Sequence, residues 1–138
     1  MVSNHLGNYE KAILECLKNA FEQNSPTIAA CAKVIEDAIL SDGIIHTFGS
    51  GHSSAVAFEL FHRAGGLACV NLLANHAISP FAVRQSGRME KFSGVASAIC
   101  ASHEFRKSDV GFVVSNSGKN AVPVEVAQLF KLHGMKVI

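Results

Sequence analysis

The sequence has no excess of charge of either sign: 12 Lys and Arg stand against 11 Asp and Glu, a formal net charge of +1, and no segment concentrates the basic residues. A nucleic-acid footprint needs such a concentration, so nucleic acid is not an expected partner. Long apolar runs are missing too. Nothing approaches the ~18 apolar residues of a membrane span. The opening "MVSNHLGNYEKAILECLKNAF" also lacks the basic flank and continuous apolar block of a signal peptide. A cytoplasmic protein without a membrane partner is expected. Close cysteine spacing is absent: Cys16, Cys31, Cys69 and Cys100 are isolated in apolar neighbourhoods and read as buried structural thiols rather than zinc ligands or disulfides. Histidines 5, 46, 52, 62, 76, 103 and 133 form no His-x3-His pair and adjoin no acidic cluster, so no metal site is expected. Linkers, low-complexity tracts and solenoid repeats are likewise absent.

What is present is apolar material: 138 residues, 49% hydrophobic and 17% charged, describe one globular domain with a single core. Ala12, Ile13, Cys16, Leu17, Ala20 and Phe21 follow the three-and-four spacing of a helical face. A second helix is expected from Ser25 as N-cap and Pro26 in the first turn until Asp42-Gly43, giving two N-terminal helices. "GIIHTFG" predicts a strand over Ile44 to Phe48, followed by a glycine loop and a helix from about Ser53 to Arg63. "LACVNLL", apolar except Asn71, fits a parallel strand buried on both faces. Residues 74 to 87 have little periodicity, and "RMEKFSGVASAICASH" predicts a helix interrupted by Gly94. "DVGFVVS" is a third strand, "AVPVEVAQLFKLHG" a helix and "MKVI" the start of a fourth strand. This alternation predicts a doubly wound α/β domain with a parallel sheet. Because "MKVI" stops within a strand, the chain is expected to be the N-terminal part of a longer protein.

Two loops carry the chemistry. "GSGHSS" at 49 to 54 and "SNSGKN" at 115 to 120 each follow an apolar strand and precede a helix. The first is no dinucleotide fingerprint, because Ser54 stands where the third glycine belongs and no acid follows the second strand. The second is no Walker loop, because Lys119 is followed by Asn120 and Val113 replaces the leading glycine. With both excluded, no cofactor is expected. A phosphomonoester remains, held by backbone N–H groups that glycines turn inward and by small hydroxyl and amide side chains. The same Ser and Asn residues would also serve as plain helix caps. Two such loops on one sheet favour a shared ligand, since loops converge where strand order reverses.

Together these residues resemble the sugar isomerase (SIS) domains, which bind phosphosugars. "FGSGHSSAVAFELFHRAGG" is similar to their first motif and "DVGFVVSNSGKNAVPVEVAQLFKLHGMKVI" to their second, and the resemblance spans residues 9 to 138. It is nearest to uncharacterised bacterial members often labelled phosphoheptose isomerases. The resemblance implies a parallel sheet of order 2-1-3-4-5 and a homodimer or higher homo-oligomer with sites near the subunit boundary. It implies phosphate contacts from Ser115, Ser117, the loop amides through Gly118 to Asn120, and Ser53, with sugar contacts from Ser50, Gly51 and Asn116. Many members carry Glu-Thr after the Ser-Gly, where this chain has Lys119-Asn120, so an amide replaces a hydroxyl.

Aldose-ketose isomerisation needs a base at carbon and an acid at oxygen. Glu59 in "ELFHR" resembles the catalytic Glu of heptose isomerases, about one turn nearer the glycine loop, and its alternative role is an ion pair with Arg63 at i+4. His62, sharing that helix, is the candidate acid, and His52 a candidate sugar contact; the alternative reading for each is a surface or partly buried histidine. His46 within a strand reads as a satisfied core residue. Family isomerases also draw a catalytic His from a C-terminal region that this sequence does not contain. The expected function is therefore a phosphosugar-binding SIS domain of a sugar phosphate isomerase. A non-catalytic sugar phosphate sensor and an amino-sugar phosphate lyase or etherase are the alternatives.

Overall fold

The computed structural model of the protein describes residues 2–138. Contacts divide the chain into two units, residues 1–33 and 34–138. The first is helical throughout its described length, and its apolar residues Leu6, Tyr9, Leu14, Leu17 and Phe21 are exposed. The two expected N-terminal helices are in fact one, α1 (Val2–Leu40), with Pro26 inside it. Proline removes only one backbone N–H, and in an exposed helix water can serve the carbonyl left over. Side chains serve the neighbouring carbonyls: Asn24 Nδ2 donates to Ala20 O at 2.8 Å and Ser25 Oγ to Phe21 O at 2.5 Å. Ser25 thus bonds backward along the helix instead of capping a new one.

The second unit is the α/β domain. Its strands are β1 (Ile45–Gly49), β2 (Val70–Leu72), β3 (Val110–Val114) and β4 (Lys136–Val137), all parallel in the order β2-β1-β3-β4. This matches the first four places of the expected order. Successive strand residues face opposite sides of the sheet, and β1 uses both. Thr47 Oγ1 donates to Ala57 O of α2 (Ser53–Glu59) at 3.1 Å, whereas Phe48 enters the core with Val122, Val126 and Phe130 of α5 (Ala121–Leu132). Ile99 and Cys100 of α4 (Val95–Cys100) close that core. Helices therefore cover both faces of a parallel sheet, which explains the unalternating apolar strands.

Three expectations change. The helix after the first loop ends at Glu59 rather than Arg63, and His62 has a left-handed φ of 47°. Glu59 and His62 therefore do not share a helix. The weakly periodic middle contains two 3-10 turns (His76–Ile78, Pro80–Ala82) and α3 (Val83–Met89), which begins earlier than the apolar spacing indicates. Of the cysteines only Cys100 is buried, and burial raises its thiol to about 11; Cys31 and Cys69 are half-buried and Cys16 is exposed. Cys16 lies on the uncovered part of α1, where apolar neighbours in sequence do not amount to a core.

A buried polar network ties the amino-terminal half of the sheet. His46 Nε2 lies 3.3 Å from Asp109 Oδ2, and Asn71 Nδ2 lies 3.0 Å from His46 Nδ1 and 3.2 Å from His103 Nδ1. Since Asn71 Nδ2 can only donate, His46 carries its hydrogen on Nε2 and is neutral. Asp109 also accepts from Ile44 N at 2.9 Å and Arg106 N at 2.7 Å. Burial raises its pKa, but these bonds, His46 and the Arg106 charge outweigh that and leave it below 3.8. Burial holds His46 below its ordinary 6.5 despite Asp109, with His103 and Arg106 adding to the lowering. The unfolded chain then binds a proton at His46 before the folded chain does. Its contribution to stability is complete above pH 6.5 and declines as pH falls through the folded value. Urea unfolding should show stability declining as pH falls below about 6.5, and His46→Gln should flatten the decline. An equally steep decline in that variant would remove His46 as its source.

Candidate functional site

The register of the sheet brings the two loops together. Gly49 ends β1 opposite Val114, the last residue of β3, so Ser50 and Ser115 leave neighbouring parallel strands side by side. Between these strands the chain order changes direction, which is where open α/β sheets form their ligand crevice. A cavity of about 500 Å³ opens there. Ser50, Gly51, His52 and Ser53 line it from the first loop, and Ser115, Asn116, Ser117 and Asn120 from the second. A third wall, Pro80, Ser86, Gly87 and Glu90, comes from the segment between β2 and β3.

Backbone geometry shapes both loops. Gly51 and Gly118 have φ of 54° and 63°, in the left-handed region that favours glycine. Gly51 N donates to Ile78 O at 2.7 Å, which ties the first loop to the third wall. Some hydroxyls are used locally: Ser54 Oγ donates to Gly51 O at 2.7 Å, and Ser115 Oγ accepts from Gly118 N at 3.1 Å while keeping its own hydrogen to donate. Others are unused. Among the described residues the side chains of Ser53, Asn116 and Ser117 have no hydrogen-bond partner, and Asn120, the N-cap residue of α5, makes no capping bond with its amide. Helix capping therefore does not account for these groups. The backbone N–H groups of Ser117, Lys119 and Asn120 also lack intrachain partners among the described residues. Hydroxyls, an amide and unpaired N–H groups before a 12-residue helix suit an oxyanion.

Nine of the expected site residues are placed as follows. Ser50, Gly51, His52, Ser53, Ser115, Asn116, Ser117 and Asn120 share the cavity, and Gly118 shapes its loop without lining it. Lys119 is exposed and also does not line it. The expected catalytic pair lies elsewhere. Glu59 makes an ion pair with Arg63 on the surface, and His62 lines a separate shallow cavity with Phe61, Arg63 and Leu67.

Glu90 was not singled out by any motif. Ser50 Oγ donates to its Oε2 at 2.7 Å across 40 residues of sequence. Glu90 and His52 are the titratable residues among those lining the cavity. Nothing in the spacing around "RMEKF" marks Glu90, because it sits at the end of a short helix rather than on a repeated face. Among the described residues no group of three or more His, Cys, Asp or Glu could hold a metal ion, and no helix is long and apolar enough to cross a membrane.

A family model described as SIS domain matches residues 8–138. A UPF0309 protein of Streptomyces avermitilis is 37% identical over 130 residues, covering 92% of this chain and 52% of that protein. One of Streptomyces griseus is 36% identical over 135 residues, covering 96% and 54%. One of Listeria monocytogenes is 38% identical over 112 residues, covering 81% and 44%. The chain spans about half the length of the curated relatives it matches.

Proposed function

The chain belongs to the SIS domain family, and on that premise we propose that the cavity between its two serine loops binds a phosphorylated sugar as the substrate of an aldose-ketose isomerisation. The observation that carries this reading is the pairing of Gly49 with Val114, which makes two loops 66 residues apart line one polar cavity. The phosphate is assigned to the second loop. There Ser115 and Ser117 offer hydroxyls, and the N–H groups before α5 add donors along the favourable end of the helix dipole. The sugar extends toward Ser50, His52 and Asn116, which can exchange hydrogen bonds with its hydroxyls. Among the described residues no Lys or Arg lines the cavity, so neutral donors supply the phosphate contacts.

Titration calorimetry with glucosamine 6-phosphate and a heptulose 7-phosphate, their unphosphorylated parents and inorganic phosphate tests this reading. A phosphosugar should bind at least about tenfold more tightly than either its parent or phosphate, since each part then contributes contacts. Equal affinity for phosphosugar and free phosphate would remove the sugar from the reading. Absence of binding to all of them would overturn it.

A further inference from the structure

We infer that Glu90 is the base that moves the carbon-bound proton of the sugar held in the cavity, an inference that rests on the phosphosugar reading. Among the described lining residues it is the only carboxylate. Three elements fix its position. Its N–H donates to Ser86 O of α3 at 3.0 Å, its carbonyl accepts from Val122 N of α5 at 3.0 Å, and Ser50 beyond β1 donates to Oε2 at 2.7 Å. Ser50 itself is buried, so this hydroxyl does not swing freely. Oε2 is thus engaged, while Oε1 has no hydrogen-bond partner among the described residues and is available to a substrate. A base held by surrounding hydrogen bonds and open at one oxygen meets the geometric need of proton transfer.

This arrangement also changes the part played by Ser50. Its hydrogen is committed to Glu90, so toward a sugar it can only accept, and its main effect is to orient the carboxylate. His52, the other titratable group of the cavity, is placed to serve the oxygens. In the forward step Glu90 Oε1 takes the proton from the carbon beside the carbonyl. The C–H electron pair becomes the C=C bond of an enediol (an enaminol for glucosamine 6-phosphate, whose neighbouring carbon bears an amine), and the carbonyl oxygen receives a proton from His52. In the second half the hydroxyl on the neighbouring carbon gives its proton up to His52 while its O–H electron pair becomes the new C=O bond. The C=C pair takes the proton back from Glu90 at the former carbonyl carbon, so that atoms and electrons balance, both residues are restored and no co-reactant is needed. While the proton resides on Glu90 it can exchange with solvent.

The test combines deuterium incorporation into glucosamine 6-phosphate and a heptulose 7-phosphate in D2O, followed by NMR, with calorimetric binding of the same compounds. The unaltered chain should label the carbon-bound position. Glu90→Gln preserves the acceptor for Ser50 and should keep the affinity while exchange falls by about 10²- to 10⁴-fold. Glu90→Asp, which keeps the carboxylate but withdraws it by one methylene, should retain an intermediate rate. Exchange at the unaltered rate in Glu90→Gln would overturn the inference. So would loss of exchange in Glu59→Gln with exchange retained in Glu90→Gln. Tight binding by the unaltered chain without any exchange would overturn it while leaving the phosphosugar site standing, in favour of a non-catalytic sensor. Absence of binding would remove the site and Glu90's role with it.

Discussion

Gly49→Ala is expected to destabilise the domain by several kcal/mol and to abolish phosphosugar binding in whatever folded fraction remains. A Cβ at this position would lie 2.5 Å from Ser53 O, 2.7 Å from Ser53 C and 2.8 Å from Ser54 N. All three are backbone atoms of the first turn of α2, so no side-chain rotation relieves the contact. Overpacking of a well-filled site costs about 1 to 3 kcal/mol when neighbours can shift. Here the neighbours are the helix itself, and moving it pulls on the Thr47 to Ala57 bond. Urea unfolding followed by calorimetry would check both parts. Gly118→Ala is the comparison, because no heavy atom stands within 4 Å of its Cβ and only its φ of 63° opposes the change. That substitution should cost about 1 to 2 kcal/mol. Equal stability of Gly49→Ala and the unaltered chain would contradict the close approach of loop and helix.

Ser117→Ala is expected to weaken phosphosugar binding by about 1 to 3 kcal/mol, or roughly 5- to 150-fold, with the melting temperature unchanged. Its hydroxyl lines the cavity, has no hydrogen-bond partner among the described residues and supports no other part of the fold. Ser115→Ala should lower affinity similarly but also lose some stability, about 0.5 to 1.5 kcal/mol, because Ser115 Oγ accepts the N–H of Gly118. The unphosphorylated parent sugar separates the roles. If Ser117 holds phosphate, its removal leaves the weak affinity for the parent unaltered. Undiminished phosphosugar affinity in Ser117→Ala would transfer the phosphate to other donors of the cavity.

Much of this site was legible because its signals are local. A glycine that turns the chain, a hydroxyl beside it and a helix beginning two or three residues later occupy one short stretch, and "GSGHSS" and "SNSGKN" each contain all of them. The strands before the loops were legible for the same reason, as a β-branched and aromatic run between glycines and an apolar run in "DVGFVVS", and observed bounds differ from the expected ones by a residue at most for β1 and β3. Glu59 and His62 show where such reading stops. Their placement on one helix depended on helical spacing continuing to Arg63, but the helix ends at Glu59 and His62 turns left-handed. The continuity of α1 through Pro26 was also hidden, because Ser25-Pro26 is compatible with a helix start and with a proline tolerated in mid-helix.

The sequence by itself determined the alternation of strands, loops and helices, the chemistry of the two loops and their resemblance to phosphosugar-binding domains. Those properties depend on neighbouring residues, and periodicity and turn chemistry report them directly. Only the tertiary structure decided that the loops share one cavity, since this depends on β1 pairing with β3 rather than lying at a distance from it. It alone brought Glu90 from the segment between β2 and β3 against Ser50, because a hydrogen bond across 40 residues is made by sheet register and helix packing.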